Sequence, residues 1–222
     1  MPVDYQMASR GRPRTFDREQ ALRSALEVFW ARGYDGATLE ELLEAMGGIA
    51  PPSFYSAFGS KERLFREAVD LYYAGMSKVM GAALEAPTAR GAIERLLHTA
   101  VDQFGGSDGP RGCLIVLGAT NAIRGNTAAH DHLKSLRNEA PDIIRARLAR
   151  GVKDGDVPAG APIAEMALFF TTVLHGMAIR ARDNGSRQVL TTIADAAMAA
   201  LEPLVGRKAV SSGKGAPRRR RS

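Results

Sequence analysis

Apolar residues recur at helical spacing along almost the whole chain, and the polar breaks between them divide it into about nine segments. Leu22, Ala25, Leu26, Phe29 and Trp30 fall at i, i+3, i+4, i+7 and i+8, one face of a helix. Asp17 stands before this stripe with Gln20 three residues on, the pattern of a capping box, and Gly33 stops it. Thr38 and Glu41 repeat the capping pattern ahead of Leu39, Leu42, Leu43 and Met46, and Gly47-Gly48 closes that short helix. The next stretch, PPSFYSAFG, reads as a helix from about Pro51 to Phe58. A proline in the first turn loses no intrahelical hydrogen bond. Phe54 and Phe58, four apart, turn inward together, and Ser53, Tyr55, Ser56 and Ala57 turn outward. Ser60 then caps a helix whose buried face carries Leu64, Ala68, Leu71 and Tyr72 and which runs to about Ala83.

Further helices follow. Ile93, Leu96, Leu97, Ala100, Val101 and Phe104 make a regular stripe, GGSDGPRG is a loop, and the segment from Cys113 to Ile123 is mostly apolar. A long helix is expected over Ala128–Val152, kinked or split at Pro141. KDGDVPAGAP is a linker, and two last helices are expected over Ile163–Arg182 and Arg187–Val205. No segment alternates as a strand does, and no repeat of 20 to 50 residues is evident, so the fold class expected is all-α.

Charge changes this picture by its placement. The formal +6 of the 222 residues is not spread evenly. Residues 207–222 carry seven positive charges and no acid, residues 1–18 are net +2, and the body between them is net −3. Such a chain meets a polyanion with defined parts rather than with its whole surface. The tail is poor in apolar residues and is expected to be disordered. A single cysteine, Cys113, excludes an internal disulfide framework. The first residues lack a long apolar segment behind their basic ones. The longest apolar run, Ala167–Ala181, is interrupted by Thr171, Thr172, His175 and Arg180. Neither a signal peptide nor a membrane span is expected, and a reducing cytoplasm is.

Two short helices joined by a tight turn read as a helix-turn-helix, in which the second helix enters the major groove of DNA. A groove about 12 Å wide favours a slim outer face, and prolines, serines and alanine supply one. GRPRTFD, ALEVFWARGYDGATLEELLEAMG and PPSFYSAFGSKERLF, in this order and spacing, resemble the TetR family of one-component transcriptional regulators from about Gly11 to Phe65. GCLIV at 112–116 looks like one subgroup of that family. The resemblance implies an all-helical homodimer. A flexible basic arm (1–14) would precede a three-helix DNA-binding domain (15–63), followed by an effector-binding and dimerisation domain (64–206) and the basic tail (207–222). It also implies site residues. Thr38 and Lys61 would hold phosphates. Pro51, Pro52, Ser53, Tyr55 and Ser56 would face the groove, with Tyr55 reaching a phosphate, and Arg12 and Arg14 would reach the minor groove or backbone. Two protomers would join in a four-helix bundle of the last two helices, through Ile193, Ala197, Ala200, Leu201 and Leu204.

The candidate effector pocket is Phe104, Cys113, Leu117, Asn121, Phe169, Phe170, Leu174, His175 and Met177, mostly apolar and suited to a hydrophobic effector. Cys113 follows Gly112 at an apparent helix start, where the dipole would lower its pKa and make it a sensor. The alternative is a small buried residue. His130 and His132, two apart, point away from each other on a helix and cannot share a metal, so a solvated face is expected for both. No phosphate loop, metal-spaced carboxylates or nucleophile with a partnered histidine is evident, so neither enzyme activity, metal nor cofactor is expected. The partners expected are double-stranded DNA, a small effector and a second copy, with no membrane. A nonspecific DNA coater driven by the arginine tail, or a helical enzyme or lipid-binding protein, stays open as an alternative.

Overall fold

The computed structural model describes residues 17–106, 109–120 and 127–205, the last four as backbone only. The basic arm with Arg12 and Arg14, the tail from 207, Asn121 and the side chain of Leu204 lie outside the described residues. The described residues form nine helices and no strand: α1 Arg18–Gly36, α2 Leu39–Ala45, α3 Pro51–Phe58, α4 Lys61–Leu84, α5 Ala89–Phe104, α6 Leu114–Leu117, α7 Thr127–Asp154, α8 Ile163–Arg182 and α9 Arg187–Val205.

The helix starts follow the capping chemistry read from the sequence. The Asp17 carboxylate accepts from the Glu19 and Gln20 amides, Thr38 and Glu41 close a reciprocal capping box, and Ser60 accepts from the Arg63 amide. Gly33 breaks α1 with φ +72, ψ 177, so the chain continues as a short extra turn. There Tyr34 donates its amide to the Gly118 carbonyl of the α6 turn at 2.7 Å.

Helices α1 to α3 share a core with the first turns of α4. Phe29, Phe54, Phe58, Leu64 and Phe65 are fully buried. Phe65 meets Phe29 edge-on at 5.0 Å and Tyr34 at 5.1 Å. Such pairs add about 0.5–1.5 kcal/mol each beyond area burial. Because α4 is one continuous helix, the domain boundary read at residue 63 falls inside it. Its later turns pack on α5 and α7.

Three expectations are corrected. First, α7 is not split at Pro141, since one helix spans Thr127–Asp154 with the proline inside it. Its flanks are anchored by buried Leu133 on one side and Ile144 and Leu148 on the other. Second, the proposed dimer stripe on α9 is divided, with Ala200 exposed and Ile193 half-buried. Ala197 and Leu201 are buried with Leu190, Ala194 and Met198, since α9 closes over α5 and α8. Third, His132 is no solvated residue: its Nε2 lies 3.0 Å from Asp70 Oδ1 and ties α7 to α4. His130 is half-buried as well.

Helix α8 is long and apolar enough, by length and composition, to cross a membrane. One face, with Met166, Ala167, Phe170, Met177, Ala178 and Ala181, is buried in the core of the protein. Leu168, Phe169 and Ile179 lie exposed on the other.

Candidate nucleic-acid interface and effector cavity

Helix α3 has an unusual start. Pro51 and Pro52 occupy its first two positions, and the Ser53 and Phe54 amides both bond to the Ala50 carbonyl, at 2.9 and 3.1 Å. The N-terminal amides that a helix usually leaves open are thus removed or satisfied. This end has no donors to offer a phosphate and few polar groups to desolvate in a groove. Pro51, Pro52, Ser53, Tyr55 and Ser56 are all exposed, while Phe54 and Phe58 hold the opposite side in the core. Tyr55 is 53% exposed, its ring edge-on to Phe54 at 5.1 Å. Ala57, expected to face out, is half-buried against the core, and its carbonyl accepts from Arg18 Nε at 3.2 Å.

The turn before α3 uses both glycines. Gly47 and Gly48 have φ +91 and +71, a region that costs other residues strain. The Gly48 amide bonds back to Leu43 and Glu44, which caps α2 and aims α3.

Phosphate-binding capacity lies beside the helix. Lys61 opens α4, whose first amides have no intrahelical acceptor. Its Nζ sits 4.6 Å above the Tyr34 ring, and partial burial holds its pKa below the ordinary lysine range. Tyr34, which this reading of the sequence missed, therefore positions the lysine; the signal was its place directly after the helix-breaking Gly33. Thr38 is exposed, but its hydroxyl already serves the capping box, accepting from the Glu41 amide at 3.1 Å. Arg18 locks this unit together, stacked 4.6 Å from the Phe58 ring and paired with Glu67.

In the larger part, α4 to α8 line a half-open cavity of about 180 Å³. Of the expected pocket residues, Phe104, Cys113, Leu174 and His175 line it. Leu117, Phe170 and Met177 do not; Phe170 and Met177 are packed into the core. Phe169 is 44% exposed on the outer side of α8, because it neighbours the inward Phe170 by a single helical step. The walls missed in the sequence are Tyr73, Met76 and Met80 of α4 and Leu136 and Arg137 of α7. The spacing of Tyr73, Met76 and Met80 was a legible stripe on the face of α4 next to the one identified.

Of the two readings of Cys113, the structure supports the small buried residue and not the activated thiol. Helix α6 is a single turn, the thiol is 6% exposed, and burial pushes its pKa up. Burial also holds the His175 pKa below the ordinary histidine range, and the Arg137 charge adds to the effect. Among the described residues no group of histidine, cysteine and acidic side chains is placed to hold a metal.

The cavity wall touches the DNA-binding unit through one cluster. Tyr72, buried next to Cys113, meets Trp30 edge-on at 5.0 Å. Trp30 donates its indole N–H to the Gly112 carbonyl at 3.2 Å. Arg182, at the end of α8, donates to the carbonyls of Trp30 at 2.6 Å, Ala31 at 3.0 Å and Arg111 at 2.8 Å.

Comparison with known proteins agrees with this geometry. Residues 21–68 match the model of bacterial regulatory proteins of the tetR family, and residues 87–197 match that of the tetracyclin repressor-like C-terminal domain. The chain belongs to the TetR family. It is 31% identical over 188 residues to the HTH-type transcriptional repressor ComR of Escherichia coli (strain K12), covering 84% of this chain and 89% of that one. It is 27% identical over 201 residues to the repressor BdcR of the same organism, covering 88% and 94%. Among solved structures it resembles a cysteine mutant of the TetR family regulator CifR complexed with 26-base-pair operator DNA. The identity is 43% and the TM-score 0.82, over 86% of this chain and 99% of that one. This TetR-family protein is a DNA-binding transcriptional regulator.

Proposed function

We propose that the protein is a cytoplasmic homodimeric repressor that binds a near-palindromic operator and is released by a small, largely apolar effector. The observation that carries this reading is α3: a helix with its amide donors closed off by two prolines, phenylalanine anchors behind, and a slim outer face in front. The relatives named as repressors and the CifR complex with operator DNA support the same reading.

Pro51, Pro52, Ser53, Tyr55 and Ser56 enter the major groove, while Lys61, the Tyr55 hydroxyl and the backbone near Thr38 meet phosphates. Arg12 and Arg14 contribute from the arm. Residues 15–63 form the DNA-reading part and 64–206 hold the effector and the partner. Exposed Leu168, Phe169 and Ile179 of α8, with Val189 of α9, provide an apolar face for the second copy. The twofold sets the two recognition helices about 34–36 Å apart. An effector in the cavity displaces α6 and with it the Trp30 and Tyr34 contacts. A differential affinity of about 1–3 kcal/mol between two conformations suffices for the response.

Selection of bound sequences from random duplex DNA tests the proposal. The expected result is an enriched sequence with twofold symmetry that survives deletion of residues 207–222. Absence of enrichment, or loss of binding with the tail, favours a nonspecific coater instead.

A further inference from the structure

We propose that the cavity binds a small monocarboxylic acid, its carboxylate on Arg137 and its apolar body among Met76, Met80, Phe104 and Leu174. This rests on the effector reading above and adds the chemical class of the ligand.

The cavity wall carries one guanidinium and no acid. Arg137 reaches it from α7, and among the described residues its one hydrogen bond has Nη1 donating to the Ile115 carbonyl at 2.8 Å. Among the described residues no carboxylate pairs with it, and no aspartate or glutamate lines the cavity. An arginine offers five N–H donors in a fork that matches a carboxylate, so among the described residues most of this fork has no acceptor. The guanidinium is half-buried, and this partial withdrawal from water holds its pKa below the ordinary arginine range, a cost that an anion beside it would offset. The cavity thus provides a charge with a place left for its counter-ion.

Of the other polar groups on the wall, Tyr73, Ser77 and Thr171 carry neutral hydroxyls. Thr171 spends its hydroxyl proton on the Ala167 carbonyl at 2.8 Å. His175 lines the same space and is held neutral by burial and by the arginine, so it supplies a hydrogen bond and not a second charge. The Cys113 thiol stays protonated. One cation balances one negative charge, which suits a carboxylate better than a phosphate dianion. Size restricts the rest of the ligand. The volume is about 180 Å³, and an apolar cavity of about 150 Å³ holds a benzene ring. A single ring or a short alkyl chain fills what the carboxylate leaves.

Calorimetric titration of the full chain with benzoate and hexanoate, each beside its uncharged analogue benzamide or hexanamide, tests this. The acids are expected to bind at least about tenfold more tightly than the amides. Arg137→Met is expected to erase that preference while still binding the amides, which also reports an intact cavity. Arg137→Lys is expected to retain part of it. The assignment is overturned if acids and amides bind alike, if Arg137→Met keeps the preference, or if neither acid binds at roughly 10 mM. Release of a selected operator is scored separately. Acids that bind through Arg137 without releasing DNA leave the anion site standing and remove the effector role. An operator that is found but never released by acids that fail to bind removes the anion site alone.

Discussion

Replacing Arg182 with methionine tests how the two parts of the molecule are held together. In an unbroken helix the Trp30 carbonyl would accept from the Tyr34 amide. Gly33 ends that possibility, and Tyr34 instead donates to Gly118, so Trp30 keeps an unfilled acceptor at the domain junction. Arg182 fills it at 2.6 Å and also takes the Ala31 and Arg111 carbonyls. Methionine keeps most of the apolar stem and removes all three donors. Hydrogen bonds from a charged donor contribute about 1.5–3 kcal/mol each when sheltered. The Ala31 bond is exposed and counts for little, and the other two are only partly buried and fall at the low end. A loss of about 2–3 kcal/mol is expected. In a chain of 222 residues that lowers Tm by about 5–10 °C, read at fixed protein concentration because the proposed dimerisation would make Tm concentration-dependent. Operator affinity measured by fluorescence anisotropy is expected to fall, because the DNA-binding unit loses its fixed orientation on α8. A variant with unchanged Tm and unchanged affinity would mean that the junction is held by apolar packing, and the relay through Trp30 would be wrong.

Gly48→Ala is expected to cost about 1 kcal/mol, from its φ of +71 alone, since an added Cβ meets nothing within 4 Å. A thermal melt that shows stabilisation contradicts this. Lys61→Gln is expected to reduce the slope of log affinity against log salt by about one, as one phosphate contact is lost, and to cost about 0.5–1 kcal/mol of stability through Tyr34. An unchanged slope removes Lys61 from the phosphates. His175 is harder to protonate folded than unfolded, so below the unfolded pKa of about 6.5 the unfolded chain holds the extra proton and stability drops as pH falls. Denaturant titrations between pH 7.5 and 5 are expected to show a shallower drop in His175→Gln. Cys113, buried and protonated, is expected to react with iodoacetamide at pH 7.4 more slowly than free cysteine, which mass spectrometry follows.

Local chemistry was legible without coordinates. Asp17, Thr38 and Ser60 announce their helices because capping is a contact over two or three residues, and Gly33, Gly47 and Gly48 mark turns because backbone sterics act within one residue. The double proline and the Phe54–Phe58 pair defined α3 and its two faces for the same reason. What a side chain meets across the fold was not legible. Phe169 and Phe170 look equivalent in sequence, yet one is 44% exposed and the other buried, because the packing of α8 on its neighbours sets the rotation of the helix. Ala197 and Leu201 have the stripe of a partner interface and were taken up by α5 and α8. Arg137 and Arg182 are two arginines among many along the chain. Only the meeting of helices distant in sequence gives one an open fork in a cavity and the other three carbonyls at a junction, since electrostatics and hydrogen bonding act through space and not along the chain.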